Sequence, residues 1–257
     1  MLYGLYASGL GALGQSVRMD LIANNLANVN TPAFRRDQIA FRERLAEALE
    51  DRPDLKYYNG LVHRYGGAPF IDTIAYDKHA GAFDVTNRPL DFSIQGSGYF
   101  VVRDRNTERQ YYTRAGNFQF DPGGNLTTAD GRYLVLSEDG DPIRIDVETG
   151  VDIKLDSNGN LFQGNEFLSR FQIVDFADPE GIRKFGENLY ETFAAEPQRT
   201  EEYKLVQAVL ESSSVNAVAE MVDLIRTVRS IESNLQMVKI QDSTLDRLVN
   251  EMGRPAR

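Results

Sequence analysis

Ten positions near the end of the chain recur at alternating steps of three and four: Met221, Leu224, Val228, Ile231, Leu235, Val238, Asp242, Leu245, Val249 and Met252. All but Asp242 are apolar, which is the a/d pattern of a heptad repeat. Asn216 stands where an N-cap belongs, since its side-chain oxygen can accept from the orphan N–H groups of a first helical turn. The pattern predicts one helix over 217–252, about 54 Å long at 1.5 Å per residue and far longer than an ordinary globular helix. Such a helix must pack on other long helices or project from a body.

The opposite end repeats the theme more weakly. Leu2, Leu5, Tyr6, Leu10, Leu13, Val17 and Leu21 follow helical spacing, and Gly9, Gly11, Ala12, Gly14 and Ser16 lie around them. Glycines lower helix stability by roughly 1 kcal/mol each but admit a close neighbour. The helix should end near Asn30-Thr31-Pro32, because the residue before a proline is pushed out of the α region. A second, shorter helix is expected over 34–50.

From about Asp72 to Tyr190 the texture becomes short apolar or alternating runs between turn residues. Expected strands are 90–94, 99–103, 117–120, 133–136, 143–146, 152–155, 160–163 and 171–176, with turns at 121–124, 129–131, 138–141 and 157–160. No helical pattern intervenes, so the pairing should be antiparallel. The fold class is therefore α+β: long N- and C-terminal helices paired in a helical domain, with a central antiparallel β domain. Expected boundaries are 1–34 for the first helix, 35–71 for a connecting region, 72–200 for the β domain and 201–257 for the last helix.

Charge and composition narrow the function. With 28 Lys plus Arg against 38 Asp plus Glu, the net charge is −10, and the excess acid lies in residues 51–200. That disfavours nucleic acid, whose binding depends on clustered cations. The chain has no cysteine, which excludes disulfides, thiolate metal sites and cysteine nucleophiles. No run reaches the 18 or so apolar residues of a membrane span, and MLYGLYASGL lacks the basic start of a cleaved signal peptide. Membrane insertion is not expected.

Local motifs do not add chemistry. Gly9, Gly11 and Gly14 match GxGxxG but follow no buried strand, so they read as a close-packing helix face. Asp156-Ser157-Asn158-Gly159-Asn160 resembles the start of a calcium loop, yet Leu161 and Phe167 occupy the positions that need Gly and a bidentate Glu. Gly96-Ser97-Gly98 reads as a bend between two strands. His63 and His79 have no acid and nucleophile beside them, and the acidic residues sit mostly at turns, as on a solvated face. No catalytic, cofactor-binding or metal-binding residue is expected.

One stretch is unusual. Ile22 to Phe34 holds asparagines at 24, 25, 28 and 30, whose amides compete with helical hydrogen bonds. They either cap a fraying helix end or bond to neighbouring chains, where buried polar contacts fix register.

Ile22 to Arg36, IANNLANVNTPAFRR, resembles the N-terminal signature of the flagellar axial proteins, the rod, hook and hook-associated family. Three further blocks agree: RPLDFSIQGSGYF at Arg88 to Phe100, YTRAGNF at Tyr112 to Phe118, and ESSSVNAVAEMV at Glu211 to Val222. The middle two, with the length, favour a rod protein over the larger hook protein. TNRPLDFSI and the ending Val249 to Arg254 look more like a proximal rod type, the asparagine-rich block at least as much like a distal one, and both stay open.

The resemblance implies paired terminal helices, a connecting region and an outer β domain. It also implies export through the flagellar type III apparatus without signal cleavage, a place in the periplasm-spanning basal-body rod, and no enzymatic activity. Implied partners are other rod and hook proteins, the export apparatus, and copies of the chain itself. Neither terminal stripe can be buried by its own helix, so the expected assembly interface comprises Leu10, Leu13, Val17, Leu21, Asn24, Asn25, Leu26 and Asn28 with Met221, Leu224, Val228, Ile231, Leu235, Val238, Asp242 and Leu245. Asp242 should set register, and both ends (1–34 and 210–257) should lose order in an isolated monomer. The alternative is a β-type binding module on a coiled-coil stalk. A further alternative is an NAD-dependent enzyme using the three glycines, which a titration with NAD would reveal.

Overall fold

The computed structural model describes residues 2–43, 69–77, 79–145, 153–156, 159–176, 181–186, 188–193, 196–200 and 203–252. The chain divides into two compact units, one helical (1–27, 36–77 and 216–257) and one built from strands (28–35 and 78–215). His63 and the second half of the expected 34–50 helix lie outside the described residues.

In the helical unit, α1 (Leu2–Ala27) packs along the second helix, α2 (Ala217–Met252). A hairpin of β1 (Asp37–Glu43) and β2 (Pro69–Tyr76) also contacts α1. The end of α2 falls where the heptads stop. Its start is fixed by Asn216, whose Oδ1 accepts from the Ala219 N–H at 3.1 Å. The helix expected to begin at residue 34 is instead β1. Ile39 and Phe41 alternate with Gln38, Ala40 and Arg42 there, and a partner strand supplies the ladder that sequence inspection could not see.

The β body contains β3 (Phe83–Val85), β4 (Phe92–Gly96), β5 (Tyr99–Asp104), β6 (Gln110–Thr113), β7 (Gln119–Phe120), β8 (Leu126–Thr127), β9 (Tyr133–Val135), β10 (Ile153–Leu155), β11 (Asn160–Gln163) and β12 (Glu166–Arg170). Then come β13 (Ile173–Phe176), β14 (Ile182–Phe185), β15 (Leu189–Thr192), β16 (Pro197–Arg199), β17 (Tyr203–Gln207) and β18 (Val209–Glu211). Seven strands run β14-β15-β6-β5-β9-β8-β7 in one sheet, with β13 attached through β5 and β16 through β13. β10, β11 and β12 form a meander, β17 pairs with β4, and β18 pairs with β3; every one of these pairings is antiparallel. The α+β class with a central antiparallel region is what the structure shows.

Residues 203–211, expected at the start of the last helix, are strands. Tyr203, Leu205 and Val206 suit a pleated surface, and β4 offers them five paired residues. The run 143–146 forms only an isolated bridge at Arg144 among its described residues, with Asp146 outside them.

Phe92, Phe100, Phe118 and Phe171 form the centre of the core, with ring centroids 5.1 to 6.2 Å apart in edge and tilted arrangements. Val102, Leu126, Val135 and Leu205 close around them. The chain passes close by at Gly116, where an added Cβ would lie 1.7 Å from the Phe92 carbonyl oxygen. The bend at 96–98 also holds: Gly96 and Gly98 both have φ above +100°, joining β4 to β5.

Candidate assembly interface

The seam of α2 that packs on α1 is displaced from the expected stripe. Glu220 and Thr227 are buried, and Leu224, Ile231, Asn234, Val238, Gln241, Leu245 and Leu248 are half-buried, again at steps of four and three. The d positions of the heptad, Leu224, Ile231, Val238 and Leu245, therefore pack within the chain. The a positions, Met221, Val228, Leu235 and Asp242, are exposed. Beside them stand Val218, 72% exposed, Val222 and Ile225, 55% exposed, so the first turns of α2 carry a second apolar face that α1 does not cover. Leu13 is exposed on α1, whereas Leu10, Val17, Leu21 and Leu26 are half-buried. Of the GxGxxG glycines, Gly14 is buried and Gly11 faces Asn234 of α2, where a Cβ would sit 3.5 Å from its amide nitrogen; Gly9 has open space.

Three of the four asparagines are engaged inside the chain. Asn25 is buried and pairs with the backbone of Asp37 as a strand would: its Nδ2 donates to the Asp37 carbonyl at 2.9 Å, and the Asp37 N–H donates to its Oδ1 at 2.9 Å. Asn24 donates to the Asp37 carboxylate at 3.3 Å. Asn28 accepts from the Thr31 hydroxyl at 3.0 Å. These bonds fix the turn from α1 into β1 and occupy amides expected to face neighbours. Close by, Arg36 bonds to the buried Glu220 of the first α2 turn and lies 3.9 Å from Asp223, tying the start of α2 to the start of β1. A carboxylate in a first turn also suits the helix dipole.

Sequence reasoning missed a charged clasp in the β body, because it assigned the acidic residues to solvated turns. Glu211, at the end of β18, is buried between two buried arginines. Its Oε1 accepts from Arg35 Nη2 at 2.7 Å and from the Gly81 N–H at 3.2 Å, and its Oε2 faces Arg114 Nη1 at 3.5 Å. Arg35 also donates to the His79 carbonyl; Arg114 donates to the carbonyls of Gly98, at 2.9 Å, and Gly96, and lies over the Tyr99 ring at 5.6 Å. Burial pushes the Tyr99 phenol above its ordinary range, while Arg114 and Arg35 pull it down. Two backbone bonds complete the clasp, Ala33 N–H to Glu211 O at 2.8 Å and Ser214 N–H to Phe34 O at 2.9 Å. Two guanidinium charges on one carboxylate are tolerable there because carbonyls and a ring face absorb the excess.

Each clasp residue comes from a different conspicuous block: Arg35 lies near the end of IANNLANVNTPAFRR, Arg114 lies in YTRAGNF, and Glu211 opens ESSSVN. A charge set inside an apolar or aromatic run was the available signal. Among the described residues no acid and histidine cluster suits a metal ion, and no helix is long and apolar enough to cross a membrane.

Comparison with known proteins adds three family matches: flagella basal body rod protein over residues 5–35, flagellar hook protein FlgE/F/G D1 domain over 93–163, and flagellar basal body rod FlgEFG protein C-terminal over 206–251. Flagellar basal-body rod protein FlgG of Bacillus subtilis is 31% identical across 97% of this chain and 99% of its own length. FlgG of Caulobacter vibrioides is 30% identical, covering 93% and 94% of the two chains, and its FlgF is 31% identical, covering 89% and 87%.

Proposed function

We propose how this chain, which belongs to the flagellar basal-body rod protein family and is a structural subunit of the rod, builds that rod: it polymerises through its terminal helices into a helical tube that transmits torque. The carrying observation is the split stripe of α2. One set of apolar residues is spent on α1, and a second, from Val218 to Val228, remains in water. Leaving such a face exposed is unfavourable by roughly 25 cal/mol per Å² of apolar surface, a penalty that contact with a neighbour removes.

When each subunit offers two different patches, a fixed rotation and rise repeat without closing, and the product is an open helix. Roughly 800 Å² per partner at each contact is ordinary for a stable interface, and a subunit touching several neighbours multiplies it. Exposed Asp242 sits in the same column as Met221, Val228 and Leu235 and sets register by resisting burial against an apolar partner. Family membership supports a place in the basal body among other rod and hook components, and passage through the flagellar export apparatus belongs to the same reading.

The test is a Met221→Lys, Ile225→Lys double variant. Both side chains are exposed, so circular dichroism should match the parent, while sedimentation should show that polymers are lost. Unchanged polymers, or a compact trimer in the parent, would overturn the reading.

A further inference from the structure

A groove of about 340 Å³ in the β body is lined by Asn30, Asn117 and Asn188 from three separate stretches of chain. Among the described residues, none of these three side chains makes a hydrogen bond. Asn30 is the remaining asparagine of the signature stretch, and Asn117 belongs to YTRAGNF. We propose that this groove holds an extended peptide segment of a second copy of the chain, whose backbone the three amides read.

The chemistry of the lining favours that occupant. Among the described residues no lysine or arginine lines the groove, so an anionic ligand finds no counter-charge there. Its carboxylate, Asp130, already accepts from the Thr128 hydroxyl and the Arg132 N–H. Tyr133 cannot serve as a stacking platform for a sugar or a base: it is 4% exposed, edge-on to Tyr111 at 5.6 Å, with Arg132 over its ring at 5.2 Å.

Apart from Asp130, what remains is uncharged and matched to amides. A primary amide offers two donors and an acceptor, which satisfy one residue's backbone C=O and N–H together. The protein already uses this arrangement where Asn25 pairs with both backbone groups of Asp37 at 2.9 Å. Main-chain bonding of this kind gives affinity without requiring particular side chains. The proposal rests on the polymerisation described above, which places copies of this chain beside one another.

The full chain, labelled with ¹⁵N-asparagine and kept below its assembling concentration, is titrated with overlapping synthetic peptides spanning its own sequence. A binding peptide should move the side-chain amide resonances of Asn30, Asn117 and Asn188 together. An Asn117→Ala, Asn188→Ala variant, with parental circular dichroism, should bind that peptide about tenfold or more weakly, the loss expected for at least one to two net hydrogen bonds. Unmoved resonances, equal binding by the variant, or the same resonances responding to an N-acetylglucosamine trimer but to no peptide would overturn it. Polymerisation is followed separately by sedimentation, so intact polymers with unmoved asparagine resonances overturn the groove alone.

Discussion

Glu211 shows how one side chain can hold several segments. Replacing it with alanine leaves two buried guanidinium groups without their carboxylate, and breaking a buried pair this way costs about 3 to 5 kcal/mol. We expect Glu211→Ala to lower the urea midpoint of the β body accordingly. Glu211→Gln, which keeps an acceptor oxygen, should lie between it and the parent. At Asp121, burial raises the carboxyl, but bonds from the Asn125 side chain and backbone and from Arg105 outweigh it and hold the pKa at about 2. A group lowered by folding adds stability that is complete above its unfolded value, near 3.8, and is lost as pH falls through about 2. The urea midpoint should therefore drop between about pH 4 and about pH 2, and Asp121→Asn should flatten part of that drop. Asp104, lowered chiefly by the Asn106 backbone N–H, accounts for part of the remaining slope. The cap residue Asn216 was legible in the sequence because a cap acts on its own turn. Glu211 was not, because its partners are distant in the chain.

Among the elements, α2 was readable to its ends, since nine apolar positions in register repeat one instruction. The hairpin of β1 and β2 was not, because a strand is stabilised by whatever lies beside it and short runs such as 37–43 carry helix and strand signals together. The same holds for β17 and β18, which continue from the β body up to the last residues before α2. This moves the expected border of order. Ala33, Phe34, Arg35, Glu211 and Val215 are buried in the β body, so we expect residues 28–35 and 203–215 to keep their order without a neighbouring subunit. In a verified monomer, hydrogen exchange should find these two stretches protected with the β core and 1–27 and 217–252 much less so. Equal protection of the helices would contradict their dependence on assembly.

At the scale of the molecule, the order of helix, strands and helix made the α+β class legible, whereas the interleaving of the two units was not. The helical unit takes 1–27, 36–77 and 216–257, and the β body takes 28–35 and 78–215, so the backbone passes between them four times. Nothing in a periodic pattern records which unit a short segment such as 28–35 will join; that is decided by Phe34 and Arg35 finding buried places. Within the β body itself Arg35 grips Glu211, so an early segment, 28–35, and a late one, 203–215, share a single buried ion pair although they stand far apart in the chain. A load that frees either segment must first part that pair, and neither can peel away alone.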